Sequence, residues 1–156
     1  MFQTFILGFA SVGFVGCLPY NIVPFKKWKG SGLLGSLAGW GLLWLMPAGH
    51  FFWVALAVAA VVSVPICGAA EKVWGYDDPR IVFDELVGVW IACAFVPRRW
   101  GPMLAGLILF RVFDVWKGPW GRAASKLPGG WGVVADDVLA GLIAAFLIQS
   151  YRLIAG

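Results

Sequence analysis

Long apolar runs alternate with short polar breaks along the whole chain. Residues 2–19 are apolar and rich in small side chains, and Pro19 and Pro24 break helical continuity there. Gly30–Met46 is followed by the tight turn Pro47–His50. Phe51–Val73 is the cleanest apolar run and ends on Glu71 and Lys72. A polar loop at Trp74–Arg80 leads into Ile81–Pro97, which carries Asp84 and Glu85 near its start. Met103–Lys117 runs back, residues 118–130 form a loop, and Trp131 to about Ile154 completes the chain with Asp136 and Asp137 early in it. The 41 residues from Gly30 to Ala70 contain no Asp, Glu, Lys or Arg. That is about twice the ~20 residues a helix needs to cross a bilayer. The pattern predicts an all-α, polytopic integral membrane helical bundle with about five transmembrane helices. Residues 2–19 are either a sixth span or a shorter re-entrant element. The whole chain, 1–156, reads as one domain.

In the run from Gly30, Gly32, Gly35, Ser36 and Gly39 recur at spacings of three and four. They predict a smooth helix face that lets a neighbour approach closely. Composition supports the membrane reading: 61% of residues are hydrophobic and 13% charged, against roughly 25% charged in soluble domains. Net charge is +4, but no polar groove accompanies it, so nucleic acid is not an expected partner. Cys17, Cys67 and Cys93 stand alone in apolar stretches without metal-ligand or redox spacing, as small core residues. Met1-Phe-Gln-Thr has no basic n-region, so a cleaved signal peptide is not expected.

If each span reverses direction, the loops near 24–31, 74–80 and 118–130 share one side. Lys26, Lys27, Lys29, Lys72, Arg80, Lys117, Arg122 and Lys126 fall there, against Arg98 and Arg99 on the other side. This asymmetry marks the first side as cytoplasmic. The same reasoning carries the acids. Asp84 and Glu85 begin one helix on that side, Asp114 ends the next, and Asp136 and Asp137 begin the last. Five carboxylates from three helices converge at one depth.

Clustered carboxylates repel unless they are protonated or share a cation. Mg²⁺ takes oxygen ligands and commonly pairs one or two carboxylates with a substrate phosphate. Arg111, Asp114 and Lys117, three apart on one helix, add cations beside the acids. The alternative is a small ion- or proton-coupled membrane transporter using the acidic cluster, or a non-enzymatic assembly protein with structural ion pairs. A transporter predicts acids spread along a path across the membrane, whereas these five lie on one side. His50, the one histidine, falls at a turn on the opposite side. That excludes a histidine nucleophile or a Ser–His–Asp set at the cluster.

Three blocks resemble the phosphatidylglycerophosphatase A family of magnesium-dependent bacterial lipid phosphatases. Asp78-Pro-Arg-Ile-Val-Phe-Asp-Glu-Leu-Val-Gly88 is similar to its Ile-Val-x-Asp-Glu-x-x-Gly block. Arg111-Val-Phe-Asp-Val-Trp-Lys117 is similar to Arg-x-x-Asp-x-x-Lys. Gly129-Gly-Trp-Gly-Val-Val-Ala-Asp-Asp-Val-Leu-Ala-Gly141 is similar to Gly-Gly-x-Gly-x-x-x-Asp-Asp-x-x-Ala-Gly. Departures are Leu33 where the family has Thr, and Gly118 between Lys117 and Pro119. The resemblance implies hydrolysis of the terminal phosphomonoester of phosphatidylglycerophosphate at the cytoplasmic face of the bacterial inner membrane. It implies Asp84, Glu85, Asp114, Asp136 and Asp137 as catalytic carboxylates that hold one or two Mg²⁺ ions, with one of them either base to an attacking water or nucleophile in an aspartyl-phosphate route. Arg111, Lys117, Arg122 and Lys29 would bind phosphate, and the partners would be an anionic phospholipid and the bilayer.

Overall fold

A computed structural model describes residues 2–22, 30–76 and 78–155. Lys26, Lys27 and Lys29 lie outside these residues, so the expected role of Lys29 lies outside them too. The described apolar runs are helical, and no strand occurs among them. Helices α1 (Phe2–Ala10), α2 (Cys17–Ile22), α3 (Gly30–Leu45) and α4 (His50–Trp74) come first. They are followed by α5 (Phe83–Ala92), α6 (Trp100–Val115), α7 (Pro119–Ala124) and α8 (Gly130–Ala155).

Among the described residues two helices, α4 and α8, are long and apolar enough to cross a membrane. The other chain segments cover 56% of the apolar stretch of α8 but only 22% of that of α4. The first is therefore the central helix and the second a flank. Helices α4, α5, α6 and α7 all pack on α8, and α3 packs on α5. α3 and α6 have 16 residues each. The expected helix Ile81–Pro97 contracts to the ten residues of α5, about 15 Å of axis. It starts at Phe83 because Val82 has a non-helical backbone, φ −139° and ψ 10°, and the Val82 N–H donates to the carbonyl of Ala10 at 2.8 Å. It ends in turns after Cys93, whose N–H caps the carbonyl of Val89.

Residues 2–19 do not form one continuous helix. After α1 the backbone turns left-handed at Val12, Gly13 and Phe14, with φ of 51°, 67° and 66°. Such angles are costly for a β-branched residue. Ser11 secures the turn: its hydroxyl donates to the Leu7 carbonyl at 2.6 Å and accepts from the Phe14 N–H at 3.1 Å. Pro19 does not break α2; it sits in the first turn, where its missing N–H would have no partner in any case.

Small residues set the helix spacing. Gly35 of α3 lies against Val82, and Gly39 against Leu86. Its carbonyl accepts from Trp90 Nε1 at 2.8 Å. The α5–α8 crossing is tightest at Gly88 and Gly141: a Cβ on Gly141 would come within 2.5 Å of the Gly88 carbonyl. Each glycine lies one turn beyond an acid, Asp84 and Asp137, so this contact draws the two acidic turns together. The opposite end is closed by polar and aromatic contacts. Arg98 donates to the Met46 carbonyl, Gln149 and Arg152 donate to the Phe95 carbonyl, and Trp44 stacks on Trp100 with centroids 4.8 Å apart. Cys67 and Cys93 are buried and Cys17 is half-buried; all three are free.

Gly141→Val should destabilise the protein by about 2 kcal/mol or more, since overpacking at a backbone contact forces the helices apart. Gly41→Ala, with open space around its position, should leave the midpoint unchanged or raised. Thermal unfolding in detergent checks both.

Candidate active site

The acids predicted on three helices line one cavity of about 510 Å³. Asp84 and Glu85 come from the first turn of α5, Asp114 from the last turn of α6, and Asp136 and Asp137 from the second turn of α8. Arg111, Lys117 and Arg122 line the same cavity, as do Gly32 and Asp78. His50 begins α4 at the far end.

The five acids are not equivalent. Arg111 Nη1 meets Asp114 Oδ2 at 2.5 Å along α6. Lys117 does not continue that helix face: α6 ends at Val115, and the chain turns so that Lys117 Nζ meets Asp136 Oδ2 at 2.5 Å. Asp84, Glu85 and Asp137 make no ion pair among the described residues, although Arg111 stands near Glu85 across Gly32. Each offers a carboxylate oxygen, and these oxygens lie within 4.8 Å of one another. Asp84 and Asp137 are only 6% and 4% exposed. Asp84 Oδ1, Glu85 Oε2 and Asp137 Oδ2 are buried without a hydrogen-bond partner.

Burying partnerless carboxylate oxygens costs several kcal/mol each, by order of magnitude. Three converging in one place fit a hard divalent cation, which accepts an all-oxygen donor set. Asp114 faces the trio through Asp137 and Asp136 adjoins it in sequence, so the two ion-paired acids flank this position.

Two further parts of the site were not assigned from sequence. The stretch 118–130, expected as a loop, contains α7. Pro119 stands at its first position after Gly118, a pairing that signals a helix start. This short helix carries Arg122 to the cavity mouth, where no acid partners it among the described residues. Asp78 also lines the cavity, and both its oxygens are engaged by Arg80, at 2.7 and 2.8 Å. Arg80 in turn lies over the Trp74 ring, 4.6 Å from its centroid. The acid before Pro79 was the available signal. Tyr76 donates to the Ser125 carbonyl and ties this loop to the end of α7. Leu33 is exposed, whereas Gly32 one position earlier abuts Glu85 and Arg111.

A family model described as "Phosphatidylglycerophosphatase A" matches residues 8–152. The chain belongs to this family. The Haemophilus influenzae protein named "Phosphatidylglycerophosphatase A" is 36% identical over 140 residues, 80% of this chain and 86% of that one. Its Escherichia coli namesake is 32% identical over 124 residues, 75% and 71% of the two chains. A Bacteroides thetaiotaomicron protein named "Putative phosphatidylinositol-3-phosphatase" is 36% identical over 139 residues, 85% and 87% of the two. No solved structure matches. As a member of the phosphatidylglycerophosphatase A family the chain is a phosphatase, and the three blocks that resemble the family all border the cavity.

Lys117→Met would remove the ion pair that Asp136, 5% exposed, makes with Lys117. It should cost about 1–3 kcal/mol, at the lower end because Lys117 itself is 38% exposed. Adding Asp136→Asn should recover most of the loss, and a double-mutant cycle by thermal unfolding measures it.

Proposed function

We propose that this chain hydrolyses the terminal phosphomonoester of phosphatidylglycerophosphate to phosphatidylglycerol and phosphate, with Mg²⁺ held by Asp84, Glu85 and Asp137. The carrying observation is three buried, partnerless carboxylate oxygens in a cavity framed by cations, in a chain of the phosphatidylglycerophosphatase A family. Asp114 and Asp136 border the metal position and keep Arg111 and Lys117 beside it. When bound, Mg²⁺ would polarise the phosphoryl oxygens and lower the pKa of a water. Arg111, Lys117 and Arg122 offset charge on the phosphoryl group and on the leaving group.

The bundle is read as polytopic, with the cavity facing the cytoplasm. Both ends carry aromatic groups of the interfacial kind: Trp40, Trp44, Trp53 and Trp100 at one end, Trp74, Trp116, Trp120 and Trp131 at the other. Lys72, Arg80, Lys117, Arg122 and Lys126 gather at the cavity end. Arg98 and Arg99, joined by Arg152, stand at the other, and Lys26, Lys27 and Lys29 precede the α3 end that lines the cavity. Helices reversing between these ends place large apolar side chains such as Val54, Val61, Leu104, Ile108 and Phe146 outward, as hydrocarbon contact requires. A lipid lying in such a bilayer presents its phosphate at the depth of the cavity, drawn there by basic side chains worth ~1 kcal/mol each.

The test is phosphate release by purified protein from phosphatidylglycerophosphate and, given the Bacteroides relative's name, from phosphatidylinositol 3-phosphate. Turnover of the first should exceed that of the second, vanish with EDTA and return with Mg²⁺. Asp137→Asn should lower it by about 100-fold or more, the order expected on losing a metal ligand. Release that is indifferent to EDTA, or normal in Asp137→Asn, would sink the metal mechanism. Faster turnover of the inositol lipid would reassign the headgroup.

A further inference from the structure

Ser36 lies in the middle of α3, a helix whose small residues read from sequence as packing alone. It is fully buried, yet it is not idle. Its hydroxyl donates to the Gly32 carbonyl one turn back, at 2.7 Å. With its one proton spent there, the oxygen can only accept, and it accepts from Arg111 Nη1 at 3.2 Å. This contact joins α3 to α6 across 75 residues of sequence.

The same Nη1 carries the 2.5 Å contact to Asp114. These two contacts of Arg111 therefore share one nitrogen. Nε and Nη2 make no hydrogen bond among the described residues, and neither is an atom sealed from solvent. Arg111 lines the cavity, and Gly32 keeps its neighbourhood open, since a Cβ there would sit 3.2 Å from Nη1 and closer still to Glu85 Oε1. A guanidinium held by one corner presents its opposite edge, and the Nε–Nη2 edge is a two-donor fork that matches a phosphate.

We infer that Ser36 is a positioning residue: with Asp114 it anchors Arg111 Nη1 so that the Nε–Nη2 edge faces the cavity as a fork for the substrate's phosphomonoester. The inference rests on the phosphatase reading. Ser36 touches no substrate itself, and its effect passes through Arg111. Without the hydroxyl, the guanidinium keeps its charge and its pairing to Asp114 but loses the second contact that fixes its plane.

The experiment is steady-state kinetics of lipid phosphate release, with inorganic phosphate as competing product, for wild type, Ser36→Ala, Arg111→Ala and the double variant. Ser36→Ala should raise KM and the inhibition constant of inorganic phosphate together, each about tenfold. It should leave kcat within about threefold and the thermal midpoint near wild type. In the Arg111→Ala background Ser36→Ala should change neither constant further. Unchanged KM and phosphate inhibition in Ser36→Ala, or a further loss in the Arg111→Ala background, overturns the role given to Ser36. A wild-type protein that releases no phosphate from either lipid overturns the phosphatase reading beneath it.

Discussion

Carboxylates crowded into the end of an apolar bundle repel one another, and burial removes the water that would screen them. Much of the structure around Asp84, Glu85 and Asp137 is arranged to meet that constraint. The α5–α8 crossing at Gly88 and Gly141 forces the acids together, because the backbones touch one turn beyond them. Asp114 and Asp136 are each held by a cation at 2.5 Å, so the unbalanced charge is confined to three side chains rather than spread over five. On our reading a divalent cation supplies the rest. On that reading the fold brings about an electrostatic conflict that a bound cation would resolve.

The two ion pairs also carry function in this account. On that reading each holds a cation beside the metal position. Arg111 is fixed from two sides, by Asp114 and Ser36. Lys117 is placed by a change of chain direction after α6, and Arg122 by the short helix that follows. Cations placed by backbone turns and buried acids lose little freedom when a phosphate arrives, which is how preorganisation lowers the cost of binding.

Much of this was legible in the sequence, for physical reasons. Apolar runs broken by Gly, Pro and charged residues marked α3, α4, α6 and α8 to within a few residues of their ends. The order of helix reversals is enough to put the five acids at one end, where they line one cavity. The small-residue face of α3 is where α5 packs. Three features were not legible. The N-terminal run breaks at Val12–Phe14 through backbone angles that no side-chain pattern announces. α5 is shorter than its apolar run because the backbone leaves the helix after Ala92, well before Pro97, and because Val82 is held in a non-helical conformation with its N–H on the distant Ala10 carbonyl. Pairing within the cluster depends on where α6 stops: spacing alone put Lys117 on the face of Asp114, and the turn after Val115 gives it to Asp136. Ser36 read as packing because a serine on a glycine-rich face has no sequence mark that separates a spacer from an anchor.

The central claim is that Asp84, Glu85 and Asp137 together hold a divalent cation, and metal binding tests it most directly without reference to turnover. Calorimetric titration of metal-free protein with Mg²⁺ or Mn²⁺ should show saturable binding in wild type and in Ser36→Ala. Binding should be lost in Asp84→Asn/Glu85→Gln/Asp137→Asn, a variant expected to fold because it removes repulsion between buried charges. Equal binding by wild type and the triple variant, or no binding by a folded wild-type protein, would contradict the account.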